Sequence, residues 1–211
     1  MQRGDGVNDE LRRPVCRPAC PPARRACLAA LGAAWLLRLP QAMAATPGSA
    51  PPPGLGPVPV GQPLREALMQ GLNGPSRTLS SYRGRPLIIN VWASWCAPCR
   101  DEMASLERLA WGDLADRFTL IGISTDDYIE RAQTLLRRTN ATLNHYIDRK
   151  LELETMLGAS HLPLTVLVDA GGRVLQRVSG AREWDGPEAR RIIEQAFPAP
   201  AAAARRRSAQ R

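Results

Sequence analysis

The stretch Leu87-Ile88-Ile89-Asn90-Val91-Trp92-Ala93-Ser94-Trp95-Cys96-Ala97-Pro98-Cys99-Arg100 decides the reading of this 211-residue chain. Its first six residues are an almost unbroken apolar run, the pattern of a central parallel strand covered on both faces. From Pro98 to about Ala115, Met103, Leu106, Leu109, Ala110 and Leu114 recur at the spacing of one buried helix face, with acids in the first turn. A pair of cysteines three residues apart therefore stands where a buried strand gives way to a helix. The helix N-terminus presents unpaired N–H groups and a positive dipole end to Cys96, and both favour its thiolate. Cys99 lies on the same helix face within reach of Cys96, so it can attack a mixed disulfide formed there. Pro98, near the helix start, loses no intrahelical hydrogen bond.

Outward from this stretch, strand and helix signals alternate. Phe118 to Ser124 is a second buried strand. Ile129, Ala132, Leu135 and Leu136 mark a further helix, and Leu143 to Ile147 a short strand. Leu164 to Asp169 and Arg173 to Ser179 flank Ala170-Gly171-Gly172, a hairpin signal. Pro187 to Phe197 is a last helix with proline in its first turn. This order predicts a single α/β domain, a mixed sheet flanked by helices, over residues 64–197.

The ends have a different character. Five arginines between Arg12 and Arg25 precede the apolar run Ala26 to Leu37 and the small-residue sequence Ala42-Met43-Ala44, the three parts of an export signal. Twelve residues of helix reach about 18 Å, short of a bilayer core of about 30 Å, so cleavage after Ala44 is expected over a short N-terminal anchor. Residues 45–63 are rich in proline and glycine, with Pro51-Pro52-Pro53 at the centre, and are expected to be a linker. Residues 198–211 lack apolar periodicity and are expected to form a disordered tail.

The formal charge of +8 belongs to these ends, because residues 45–204 hold 17 basic and 17 acidic side chains. A neutral core lacks the basic footprint of a nucleic-acid binder. Removal of residues 1–44 takes Cys16, Cys20 and Cys27 with it and leaves only Cys96 and Cys99 in an oxidising compartment. A zinc ribbon needs a second cysteine pair, and none follows. His145 and His161 are the only histidines, both expected at the surface, and Arg137-Arg138 and Asp126-Asp127 are expected on solvated faces. Neither a metal nor another cofactor is expected.

The chain resembles the thioredoxin superfamily, in particular its extracytoplasmic TlpA/ResA-like thiol-disulfide oxidoreductases. The resemblance rests on Tyr82-Arg83-Gly84-Arg85-Pro86, on Ile89 to Arg100, on Gly122-Ile123-Ser124, and on Leu162-Pro163 ahead of Thr165-Val166-Leu167-Val168-Asp169. It implies a thioredoxin fold, a redox-active Cys96–Cys99 pair and a cis-proline at Pro163. That turn would set the backbone of Leu162 beside Cys96, where an extended substrate can pair, with Trp95 flanking the groove. Glu102, three residues after Cys99, matches an acidic position of this branch and reads either as the proton relay for the resolving thiol or as a solvated helix carboxylate. Asn90 stands where thioredoxins carry a buried acid, Ala104 where a proline is common, and Leu164 where threonine is common after the cis-proline.

The resemblance further implies a periplasmic or otherwise extracytoplasmic monomer. It would act on exported protein thiols and disulfides, such as those of apocytochromes or copper-site proteins, and be re-reduced by a membrane electron donor. The expected activity is reduction, with a DsbA-type disulfide-forming oxidant as the alternative. A peroxiredoxin needs a threonine and a proline where this chain has Ala93 and Ile89, and a copper chaperone uses a wider cysteine spacing with a distant histidine.

Overall fold

A computed structural model of the chain describes residues 55–198. The expected export signal, the first part of the linker and the tail from residue 199 lie outside these described residues. The elements run β1 (Leu68–Gly71), β2 (Arg77–Thr78), β3 (Leu87–Trp92), α1 (Ala97–Ala110), β4 (Thr119–Ser124), α2 (Ile129–Arg138), β5 (Asn144–Ile147), α3 (Glu152–Leu157), β6 (Leu164–Val168), β7 (Val174–Ser179) and α4 (Pro187–Ala196). The strands form one mixed sheet in the order β2-β1-β5-β4-β3-β6-β7. At its centre β3 runs parallel to β4 and antiparallel to β6.

All six residues of β3 are buried, because helices cover both faces of the sheet. Ile89 and Val91 pack with Ile121, Ile123, Val166 and the α3 residues Leu153, Met156 and Leu157. Ile88 packs on the opposite side with Leu106 and Leu109 of α1 and Ile193 of α4. Trp92, on that same side, joins Cys96, Cys99, Met103 and the α2 residues Ala132 and Leu136. Each fully buried aliphatic side chain of this kind contributes about 1.5–3 kcal/mol. Side chains alternate along a strand, so Asn90 shares the α1 side with Ile88 and Trp92. That alternation places an amide under the redox helix.

Several expectations change. The packed domain begins ahead of residue 64: Val58 is buried, its N–H donates to the Met156 carbonyl, and the Gly61 N–H donates to Val174. The end of the Pro-rich stretch is thus part of the fold, since those bonds and the buried valine tie it down. The β1–β2 hairpin and α3 were not anticipated. Helix α1 starts at Ala97 and ends at Ala110, so its first turn holds no acid, and Asp101 and Glu102 stand one turn further in.

His145 is not a surface residue. It is 5% exposed, and its Nδ1 accepts a hydrogen bond of 3.2 Å from Trp92 Nε1. Gly122, its partner in register across β4 and β5, makes the room: a Cβ there would lie 2.1 Å from His145 Nδ1. Asp126 is also buried rather than solvated, whereas Asp127, Arg137, Arg138 and His161 are exposed as expected.

Candidate redox site

The site begins where β3 ends. Ala93, Ser94 and Trp95 turn the chain out of the sheet, the Cys96 N–H donates back to the Ala93 carbonyl, and α1 follows at once. Cys96 is the N-cap of α1, in extended conformation, and its Sγ accepts the Cys99 N–H at 3.2 Å. A sulfur therefore satisfies one of the orphan donors that a side-chain oxygen usually caps. Cys96 and Cys99 are joined in a disulfide of 2.05 Å. Cys99 is the more deeply covered, at 1% exposure against 5% for Cys96.

Three further expected residues lie close by. Trp95, 65% exposed, stands next to Cys96 in the turn. The Leu162–Pro163 bond is cis. Leu162 is half-buried and packs against the apolar cluster that contains Cys96 and Cys99, while the Pro163 carbonyl accepts the Gly180 N–H at 3.0 Å. The strand after the cis-proline carries Leu164, buried beside Val91 of β3.

Glu102 settles one of the two alternatives left by the sequence, because it is not solvated. It is 2% exposed and sits beneath α1. Asn90 Nδ2 donates to Oε1 at 2.7 Å, and Trp184 Nε1 and the Arg182 backbone N–H donate to Oε2 at 3.0 and 3.3 Å. Asn90 Nδ2 also donates to Thr165 Oγ1 at 3.1 Å. Burial pushes the Glu102 carboxyl above its usual range and outweighs the lowering by its three donors and by the Arg182 charge. This carboxyl lies one helical turn from Cys99 on the same helix face. Its hydrogen bonds among the described residues go to Asn90, Trp184 and Arg182 rather than to a sulfur.

Sequence reasoning missed Trp184 and Arg182, which come from the β7–α4 connection with no local motif to mark them. It also missed the anchoring of Ser94 by Asp126, which donates no periodicity signal of its own. Asn90, an amide inside an apolar strand run, was the one available sign that something polar faced it.

Among the described residues, no group of three or more His, Cys, Asp or Glu side chains is placed to hold a metal ion, and no helix is long and apolar enough to cross a membrane. What the geometry can do is thiol-disulfide exchange, through a capped cysteine at a helix start with a second cysteine behind it.

Comparison with known proteins agrees. Residues 60–177 match the AhpC/TSA family. The chain is 26% identical over 123 residues to the thiol-disulfide oxidoreductase ResA of Geobacillus thermodenitrificans, an alignment covering 58% of this chain and 71% of that protein. It is 32% identical over 131 residues to the thiol:disulfide interchange protein DsbE of Vibrio cholerae, covering 59% and 69%. Among solved structures, it is similar to a DsbF homologue from Corynebacterium diphtheriae, at a TM-score of 0.54 and 28% identity over 63% of this chain and 85% of that one. The thioredoxin domain of a thiol-disulfide oxidoreductase from Bacteroides vulgatus shares the fold at a TM-score of 0.56 and 20% identity, covering 66% and 99%. The chain thus belongs to the AhpC/TSA family, as a thioredoxin-fold thiol-disulfide oxidoreductase of the ResA/DsbE type.

Proposed function

We propose that the protein is an extracytoplasmic disulfide reductase of exported proteins, with Cys96 as nucleophile and Cys99 as resolving thiol. The observation that carries this reading is the position of the pair: Cys96 caps the start of α1 beside the exposed Trp95, and Cys99 is packed behind it. In the reduced protein the Cys96 thiolate attacks one sulfur of a client disulfide. The client S–S bond breaks, one client sulfur leaves as a thiolate, and a mixed disulfide forms. Cys99 gives its proton to the Glu102 carboxylate and attacks Cys96 Sγ, which releases the second client thiolate and leaves the Cys96–Cys99 disulfide. Two electrons and two protons from a membrane-bound dithiol donor then restore the reduced pair. Leu162 and Pro163 hold the extended client segment across from Cys96, and Trp95 covers its side.

The same reading takes residues 1–44 as an export signal, residues from 45 as a spacer, and the domain through residue 197 as a monomeric catalytic unit with no metal or other cofactor. Clients with reducible cysteine pairs, such as apocytochromes and copper-site proteins, fit this exchange chemistry. A peroxidase role is disfavoured by Ala93 and Ile89, which replace the threonine and proline that such a site needs.

Expressing Cys99→Ser in an exporting bacterium tests the reading, because the mixed disulfide can then form and cannot resolve. Covalent capture of exported cysteine-pair proteins through Cys96, reversible by dithiothreitol, is the expected result. Capture that persists in Cys96→Ser would refute the nucleophile assignment.

A further inference from the structure

Asp126, two residues past the end of β4, is buried to 1% exposure and has no part in the proposed reaction steps. Its carboxylate faces donors only. Ser94 donates through its backbone N–H to Oδ2 at 2.8 Å and through its hydroxyl to Oδ1 at 2.6 Å, and the Ser124 hydroxyl donates to Oδ2 at 2.7 Å. An ionised carboxylate accepts and cannot donate, so three donors and no opposing acceptor are the surroundings of the anion. On the other side of the same residue, Arg100 Nη1 donates to the Ser94 carbonyl at 2.9 Å. Ser94 is therefore gripped at its N–H, its hydroxyl and its carbonyl, and it is the second residue before Cys96. Adjacent backbone bonds, Thr125 N–H to the Trp92 carbonyl and Cys96 N–H to the Ala93 carbonyl, complete a stiff turn.

We propose that Asp126 is a positioning residue of the redox turn, clamping Ser94 and holding a fixed negative charge beside Cys96 that restrains formation of its thiolate. The inference rests on the nucleophile assignment above. The clamp has two consequences. It fixes where the Cys96 sulfur sits at the start of α1. It also sets an anion against the helix dipole, which alone would favour the thiolate. The other charged or titratable groups on the segments meeting at Cys96 are Arg100, Asp101 and Glu102 on α1, Asp127 after Asp126, and exposed His161 ahead of the cis-proline. Asp126 is distinguished from the other acids by direct hydrogen bonds to the turn that carries Cys96.

The test is the pH dependence of Cys96 alkylation in the reduced full-length protein. Asp126→Asn keeps an acceptor for Ser94 and removes the charge, so the midpoint should fall by about half to one pH unit. The equilibrium with glutathione should move several-fold towards the reduced form. Ser94→Ala keeps the charge and removes one donor that damps it, so its midpoint should rise. Opposite signs are the signature, since mere loosening of the turn would move both variants the same way. Equal shifts, or none in either variant, would overturn the inference. If Asp126→Asn does not fold, Asp126→Ser takes its place as the uncharged variant, and the same opposite signs are required. If the wild-type protein is not alkylated at Cys96 in the first place, it is the nucleophile assignment that fails.

Discussion

Lowering the pH from 7 to 4 should remove the stability that a buried, neutral His145 contributes. Burial pushes its pKa from 6.5 down to about 4, only partly countered by the Glu107 charge on α1. Between these two values the unfolded chain binds a proton that the folded protein refuses, so stability is fully present above pH 6.5 and is lost as the pH falls towards 4. A depression of this size corresponds to about 3 kcal/mol, most of it gone by pH 4.5. Glu102, Asp148 and Glu154 are shifted upward by burial and therefore act in the opposite sense, adding stability at low pH that is lost as the pH rises. The total curve mixes the two, and only a difference isolates the histidine. The comparison is urea unfolding of the oxidised protein and of His145→Gln at pH 7, 5.5 and 4.5. Glutamine stays neutral throughout and can still accept from Trp92 Nε1. The wild type should lose about 2 kcal/mol more than the variant between pH 7 and 4.5. Parallel losses would show that the imidazole is not held neutral in the fold, and the packing argument built on Gly122 and Trp92 would fail with it.

Gly122→Ala should cost about 3 kcal/mol in the same unfolding assay, because the new methyl would lie 2.1 Å from His145 Nδ1 and 2.9 Å from Trp92 Nε1, both in fully packed rings; a loss under about 0.5 kcal/mol would contradict the close approach. Glu102→Gln should slow release of the mixed disulfide about 10- to 100-fold near neutral pH while the far-UV circular dichroism stays unchanged. An unchanged rate from pH 6 to 9 would remove Glu102 from the proton path. For the exported form, N-terminal sequencing should begin at Ala45, and recovery of Cys27 in the membrane fraction would instead favour an uncleaved anchor.

The strand and helix around the cysteines were legible because their signals are long and periodic. Leu87 to Trp92 is an unbroken apolar run, and Met103, Leu106 and Leu109 repeat at helical spacing. Helix α3 was not legible. It has six residues, is entered through Leu151 at φ 56°, and depends on the Asp148 carboxylate accepting the Glu152 and Glu154 N–H groups. The β1–β2 hairpin escaped for a similar reason: its four- and two-residue strands exist through pairing with each other and with β5, far away in sequence. Within the site, the cysteine pair and the turn at Pro163 could be read from motifs. The burial of Glu102 could not, since its partners Arg182 and Trp184 lie some 80 residues on. His145 and Asp126 are buried against expectation because a polar residue in or just after a short strand carries no periodic signal, and its burial is decided by what packs over it.

The reduction potential of the Cys96–Cys99 pair tests the reductase reading most directly. Ala97 and Pro98 add no cation between the cysteines, and Arg100 is engaged with the Ser94 carbonyl. The acids expected in the first turn of α1 stand one turn further in, yet Asp126 grips the redox turn itself. Stabilisation of the thiolate should accordingly be modest. Equilibration of the mature protein with glutathione buffers should give a potential nearer the about −270 mV of thioredoxin than the about −120 mV of a DsbA-type oxidant. A value above about −160 mV would contradict the account and make the protein a disulfide-forming oxidant.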